Sequence, residues 1–404
     1  MPSASYRAHD FMKAATKLGI EVVIGSDHQQ ALSKLLPDFS LALNFRKPES
    51  SIKKIKKFAQ KNMLTAIVGV DEETVILAAM ASKELGLRYN SITSVRATRN
   101  KYLMRQKMTQ AGLLSPKFQV ISIESNPRKF AAEIEYPTVL KPTFLSASQG
   151  VIRVNDRGEF VDAFKQIKKI ISDPSNRKKS PEEKDQILME DYIPGTEIAV
   201  EGMLIDGEFK LLAIFDKPDP MEGPYFIETI YITPSRYPQK IQNEIILVTK
   251  RAINALGLSS GPIHAEMRIN EQGIWILEIA ARSIGGLCSR VLCFTNQMSV
   301  EELILSHAVE ERIEHIEREE KSAGVMMVPV LKTGILKGVK NLELAKKING
   351  IEDIVITIAP EQILEPLPHG AKYLGFIFAR GNSPEFVERV IREAYNKIEV
   401  VVKS

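Results

Sequence analysis

The chain has 404 residues, 44% of them hydrophobic and 26% charged, the mix of an ordinary soluble protein of about two or three domains. Lys plus Arg number 54 against 50 Asp plus Glu, a formal charge of +4, too even for a dedicated nucleic-acid or membrane-surface protein. Two cysteines cannot build a disulfide framework or a four-cysteine zinc site, no apolar run approaches the roughly 20 residues of a membrane span, and Met1 to Arg7 has no signal-peptide core, so a cytoplasmic α/β enzyme is the expectation.

In chain order, the periodicity predicts a helix over 7–18 stopped by Gly19, a strand over 21–25, a helix over 29–36 and a strand over 39–45. A lysine-rich helix over 50–61, a strand over 65–70 and a helix over 72–85 follow. This βα repetition implies a mostly parallel sheet. It opens on a helix, and Ser3 to Tyr6 reads as the loop after a strand. The expectation is a product that starts upstream of Met1, with loss of that strand as the alternative.

A second block begins near residue 96: a basic helix over 100–111, a strand over 118–123, a helix over 127–134, a strand over 136–142, a small-residue loop over 143–150, a strand over 151–154 and a helix to 171. Residues 172–186 read as a solvated loop. A strand over 187–192, a hairpin about Asp206-Gly207, an irregular stretch over 217–236, a helix over 238–256 and a second hairpin over 263–280 come next, then helices to about 317. The end reads as a small α+β unit with strands near 325–330, 354–358 and 373–379 and helices near 341–347 and 384–398.

The second hairpin carries the strongest chemistry. Glu266 and Glu278 lie symmetrically about Gln272, which makes them cross-strand neighbours. Two facing carboxylates destabilise a sheet unless a cation offsets them, and hard oxygen ligands suit magnesium. Arg282 shares the parity of Glu278. An acid pair beside an arginine meets the needs of phosphoryl transfer, although a solvated amphipathic hairpin explains the acids equally well when they are taken alone. Lys141 at a strand end, before the loop Ser146 to Gly150, can meet an anion, but taken alone an ordinary β-turn accounts for this stretch better. In the stretch 188–197 an apolar strand ends in Glu190 and Asp191 and breaks at Pro194-Gly195, which suits either an adenine-binding hinge or an exposed turn. Cys288 and Cys293, about 140° apart on a helix, read as reduced packing residues. Trp275, Met267 and Met298 read as core, 53–57 as a solvated helix face, and His264 as a packing or supporting neighbour of Glu266.

Taken as an ordered set, these pieces resemble the ATP-grasp ligases. The resemblance implies a Rossmann-like domain over 1–95, an ATP-grasp domain over 96–310 with a lid over about 135–195, and an α+β C-terminal domain over 323–404. It implies that Lys101 and Lys141 contact the phosphates of ATP, that the loop with Ser146, Ser148 and Gly150 covers them, that Glu190 and the backbone of Tyr192 and Ile193 hold adenine, and that Glu197 holds ribose. Glu266 and Glu278 would bind Mg2+, with Mn2+ as an admissible substitute, and Arg282 would be the catalytic arginine. Ala280 stands where many members carry Asn, which leaves a third side-chain metal ligand unsupported there. Phe215 to Pro218, Gly223-Pro224, Glu228-Thr229 and Arg282 with Gly285-Gly286 are similar to the L-amino acid ligase group of carboxylate–amine ligases. Lys217, Glu228, Arg282, Gly285 and Gly286 would then face the substrate. The implied activity is ATP-dependent amide formation through an acyl phosphate, on a small carboxylate and an amine. Neither nucleic acid nor membrane is an expected partner, and a homodimer is compatible with the reading. The alternatives are another nucleophile and a non-catalytic ATP-binding regulator.

Overall fold

The computed structural model describes residues 1–403 apart from 3, 4, 6, 28–39, 178–184, 312 and 314. The first helix, Ala8–Leu18, buries Phe11, Ala14 and Ala15 on one face and ends at Gly19, whose φ of 68° is the left-handed cap that glycine adopts without strain. Ile24–Ser26 pairs in parallel with Ser40–Ala42, and helices Pro48–Ala59 and Val75–Leu85 follow. The helix expected over 29–36 lies outside the described residues. The strand expected over 65–70 makes no ladder among the described residues. Extended backbone becomes a strand only when a neighbour takes its N–H and C=O groups. Here 65–70 instead borders a cavity of about 610 Å³ that it shares with Val22, Val23, Ile24, Leu41 and Leu43.

The middle of the chain builds a four-stranded antiparallel sheet in the order Phe118–Ser122, Gln186–Asp191, Thr138–Pro142, Ile152–Val154. Asp156 caps the helix Arg157–Ser172 by accepting from the Glu159 N–H at 2.9 Å. Phe160, Ala163, Phe164, Ile167, Ile170 and Ile171 form its buried stripe at the three-four spacing of a helix face, and they pack with Leu140, Ile152 and Ile187 of that sheet.

The rest is organised by one eight-stranded sheet. Its order is Gly273–Ala280, Gly261–Asn270, Thr196–Ile205, Glu208–Asp216, Ile230–Thr233, Ser322–Val328, Gly375–Gly381, Ile351–Ile356. Both faces are covered, and alternation divides the residues between them. Ile198, Val200 and Leu204 pack with Ile245, Ala252 and Ile253 of the helix Gln239–Leu256. Ala199 and Met203 pack on the other side with Cys288, Val291, Leu303 and the first helix.

Several expectations shift. The stretch 217–236 contains the strand Ile230–Thr233, and through it the strands of the C-terminal part continue the large sheet. Gly334–Lys340, Ile363–Leu364 and Glu399–Lys403 form a further three-stranded sheet, whose strands the apolar periodicity did not announce. Helix stops at Ala308, short of 317. Cys288 is buried in the short 3-10 turn Cys288–Val291 with Cys293 outside it, and both thiols are free. Trp275 is half-buried rather than core, because its Nε1 donates to Asn270 Oδ1 at 3.1 Å across the hairpin turn.

The register of the second hairpin positions the chemistry. Asn270 pairs with Gly273, so the turn has two residues and a regular ladder would set Glu266 opposite Leu277. A bulge between Glu266 and Met267 in the pairing restores Glu266 to Glu278. One extra residue reverses which side chains face which side. Ile276 and Ile279 therefore both pack toward the helix Gln239–Leu256, and Glu278 faces the cavity.

The break at Pro194-Gly195 is equally constrained. Gly195 has φ 128°, and a Cβ there would collide with the carbonyl of Ile269. The substitution Gly195→Ala is expected to cost more than about 1 kcal/mol, read as a lower urea midpoint.

Candidate active site

The four-stranded sheet, the cavity face of the large sheet and the loop 71–73 enclose a cavity of about 440 Å³. Its lining includes Lys101, Lys141, Ser146, Ser148, Glu190, Tyr192, Ile193, Glu197, Glu228, Glu266, Glu278, Arg282, Gly285 and Gly286. These are residues the sequence singled out, brought to one place from separate strands and loops. Gly150 and Lys217 do not line it.

Acids dominate the centre. Lys217 is buried, and its ammonium donates to Glu197 at 2.8 Å, Glu228 at 2.7 Å and Glu266 at 3.0 Å. Carboxylate oxygens of these three glutamates lie within 4.8 Å of one another. Burial works against every charge here. For Lys217 the three carboxylates overcome it and hold the ammonium protonated well above the usual range. For Glu228 burial and the neighbouring Glu266 outweigh Lys217 and raise the carboxyl to about 7. Burial also opposes the charge on Glu266, but Lys217 and His264 hold it well below the usual range. Lys217 answers all three carboxylates and Arg268 Nε lies 3.1 Å from Glu197, and the oxygen donors that converge here are of the hard kind that fits a divalent cation. The trio is not the pair expected from the hairpin. Glu278 sits directly across from Glu266, yet its Oε2 is 3.2 Å from Lys101 Nζ.

His264 shares the face of Glu266, as its parity predicts. Its Nδ1 makes a short contact with Glu201, and its Nε2 lies 3.6 Å from Glu266. Burial disfavours the imidazolium, but Glu201 prevails and raises the histidine to about 9. Glu201 also accepts the Ile284 N–H at 2.9 Å, tying the acidic face to the turn that carries Gly285 and Gly286. A Cβ at Gly286, with φ 65°, would press on the Phe376 ring at 2.8 Å.

The other end of the cavity is held by Arg105. It is fully buried, with Nε donating to Glu190 at 2.9 Å and NH2 to Glu190 at 3.3 Å. Its remaining donors reach the carbonyls of Ile276 at 3.2 Å and Leu277 at 2.9 Å, at the bulge. Lys141 contacts the same Glu190 carboxylate. Burial lowers Lys141 to about 8 despite Glu190, because Arg105 already balances that charge. Glu190 is disfavoured by burial but held at about 2 by Arg105 and Lys141. At the expected adenine hinge, the Tyr192 N–H donates to Pro137 at 3.3 Å and the Ile193 carbonyl accepts from Arg268 at 2.6 Å.

Lys101 opens the helix Lys101–Gln110 and donates to the Leu145 carbonyl at 2.7 Å, at the root of the small-residue loop. Ala147 and Ser148 turn this loop with φ 54° each. Its far end is anchored from the C-terminal part: the Gly150 N–H donates to Pro368 at 2.9 Å and Gln149 Nε2 to the His369 carbonyl at 2.6 Å. Arg282 forms an ion pair with Glu72, Nε to Oε1 2.8 Å.

Arg105, Glu72, Glu201 and Arg268 were not singled out from the sequence. A signal existed for three of them. Arg105 is four residues from Lys101, on the same buried helical face as Met104 and Met108. Glu201 and Arg268 share the strand parity of Glu197 and Glu266. Glu72 had none, because loop spacing carries no parity.

Three family descriptions match in order along the chain: an ATP-grasp N-terminal domain over residues 12–87, an ATP-grasp domain over 134–291 and the L-amino acid ligase C-terminal domain 2 over 312–403. The chain carries ATP-grasp domains. Its fold is that of the L-amino acid ligase from Bacillus licheniformis, with a TM-score of 0.81 at 24% identity over 98% of this chain and 96% of that one. Among curated proteins it is similar to alanine–anticapsin ligase of Bacillus subtilis (strain 168), 31% identical over 255 residues, 59% of this chain and 53% of that protein. It is 26% identical over 244 residues to dapdiamide A synthase of Enterobacter agglomerans, 59% of this chain and 55% of that protein. The chain thus spans about half the length of the curated relatives it matches. The mixed α/β architecture expected from the sequence agrees with these matches, and no helix among the described residues is long and apolar enough to cross a membrane.

Two measurements test this ATP-grasp site. Arg105→Met removes the guanidinium that offsets Glu190, and the expected loss is about 3–5 kcal/mol, read by chemical denaturation. Glu72 and Glu190 both ionise at about 2 in the folded chain, below the ordinary 4.5. The unfolded chain therefore takes up their protons first. Their stabilisation is complete above pH 4.5 and is lost as the pH falls toward about 2, a slope that an acid titration of unfolding free energy will show.

Proposed function

We propose that the chain is an ATP-dependent carboxylate–amine ligase. A carboxylate oxygen of one substrate attacks the γ-phosphorus of ATP, and ADP leaves. The nitrogen of an amine then attacks the acyl carbon, a C–N bond forms, inorganic phosphate leaves and the amine gives up a proton. The observation that carries this reading is the convergence of Lys101, Lys141, Arg282 and an acidic trio on one cavity. Phosphoryl transfer needs little covalent help from a protein but does need fixed positive charge around the transferring group and a dry site. The matches to alanine–anticapsin ligase, dapdiamide A synthase and an L-amino acid ligase support the choice of an amine as nucleophile.

In this reading Glu197, Glu228, Glu266 and Glu278 are the residues that would hold Mg2+, or Mn2+ in its place. Such an ion supplies charge neutralisation at the phosphates. Lys141 and Lys101 face the phosphates from the strand and helix sides, and the loop 146–150 closes over them. An acyl phosphate is lost to hydrolysis if water enters, so the anchoring of that loop by Pro368 and His369 serves the chemistry. Glu228, Gly285 and Gly286 face the substrate side, with the sequence-expected Lys217 buried behind Glu228 at 2.7 Å, and there Tyr231 donates to Glu228 at 2.6 Å and Tyr373 lies 3.4 Å from it. A small amino acid is the substrate class of this proposal.

The test is ADP and phosphate release from pooled amino acids and small carboxylic acids, with product mass to confirm the amide. Glu278→Ala is expected to lower release at least about 100-fold while the thermal transition survives. Full turnover in that variant would remove the metal assignment. ATP binding without substrate-dependent release in any pool would remove the ligase reading.

A further inference from the structure

Arg282, within the stretch matched as the ATP-grasp domain, is fixed from the stretch matched as the ATP-grasp N-terminal domain. Its Nε lies 2.8 Å from Oε1 of Glu72, which sits in the loop before the helix Val75–Leu85. That loop is itself rigid, because Thr74 Oγ1 donates to the Asp71 carbonyl at 2.8 Å and accepts the Asp71 N–H at 3.2 Å. The second oxygen of Glu72 accepts from Arg99 NH1 at 2.7 Å, and Arg99 NH2 reaches the carbonyl of Phe144 at 3.3 Å, just before the phosphate-covering loop. The neighbouring residue Ser283 is held from the same side. Arg7 NH2 donates to Ser283 Oγ at 2.6 Å, and Arg7 NH1 to the Val70 carbonyl at 2.9 Å. Arg282 NH1 donates in turn to the Ser283 carbonyl at 2.8 Å.

Glu72 is buried, with 8% of its surface exposed, and a buried carboxylate persists only where cations balance it. The alternatives open to Arg282 explain why the contact matters. Glu278, Glu201 and Glu266 also attract its guanidinium. A long side chain with many rotamers would fall onto those acids if nothing else held it, and it would then neutralise the oxygens the cation needs.

We propose that Glu72 is a positioning residue for Arg282: a carboxylate from the N-terminal part of the chain that holds the guanidinium away from Glu266 and Glu278 and aims it at the acyl-phosphate site. This rests on the ligase reading above. The arginine is thereby preorganised, which is the condition for a fixed charge to stabilise a transition state, and the same carboxylate ties it through Arg99 to the entrance of the phosphate loop.

The experiment compares wild type, Glu72→Gln, Glu72→Asp, Arg282→Lys and the double variant Glu72→Gln/Arg282→Lys in the ADP-release assay, with the thermal transition of each recorded. Glu72→Gln is expected to lower kcat at least tenfold and to raise the Mg2+ concentration for half-maximal rate, with the KM for ATP moving less than threefold. Glu72→Asp, which keeps the charge, recovers part of the rate and stands in if the glutamine variant does not fold. The double variant should be no slower than the slower single variant, because both remove one interaction. Multiplicative losses in the double variant, or an unchanged Mg2+ requirement in Glu72→Gln, would overturn this inference while leaving the ligase reading intact. A wild-type protein that releases no ADP with any acid would overturn both.

Discussion

A single guanidinium without access to solvent organises one end of the cavity. Arg105 spends two donors on Glu190 and the rest on the carbonyls of Ile276 and Leu277. The first contact lets an ionised carboxylate stay buried beside Lys141. The second holds the irregular stretch of the hairpin that turns Glu278 toward the cavity. Charge balance and strand register, ordinarily separate problems, are here solved by one side chain. A lysine could not do the same, since only the planar fork of arginine offers donors in several fixed directions.

The eight-stranded sheet supplies the other half of the design. Alternation sends Ile198, Val200, Ile263 and Ala265 toward the helix Gln239–Leu256 and leaves Glu197, Glu201, His264, Glu266 and Arg268 on the cavity side. A face that carries this many ionisable groups is tolerable only because each meets an opposite charge or a backbone dipole. Lys217 answers Glu197, Glu228 and Glu266, His264 answers Glu201, and Arg268 answers Glu197 at 3.1 Å.

Much of this was legible in the letters. Strand alternation is local, so the hairpin, its two facing acids and Arg282 could be read directly, and the ordered set of lysines, loop and hinge pointed to the family. The facing of Glu266 and Glu278 was read for a simpler reason than the real one. A symmetric turn was assumed, whereas the chain makes a tighter turn and recovers the register with a bulge. What stayed hidden depends on distant neighbours. Arg105 looked like one more residue of a basic helix: its spacing from Lys101, Met104 and Met108 gives its face, but nothing local names the glutamate 85 positions away that it meets. Glu72 lies in a loop, where no period assigns a face. The strand Ile230–Thr233 is four residues long, too short to show a period, and without it the C-terminal strands could not be seen to continue the large sheet. The segment 65–70 shows the reverse error: strand-like in composition, it makes no ladder, because a strand is defined by its neighbour.

The anchoring of the loop 146–150 by Pro368 and His369 has a consequence for the order in which the protein is made. The cavity is walled by residues from Pro2 to Tyr373, and the far end of the loop 146–150 is tied down by residues more than two hundred positions later in the chain. A chain made as far as Arg282 holds Lys101, Lys141, Glu197, Glu228, Glu266 and Glu278 but still lacks the clasp on that loop. The loop is therefore clasped only once the C-terminal part of the fold is in place.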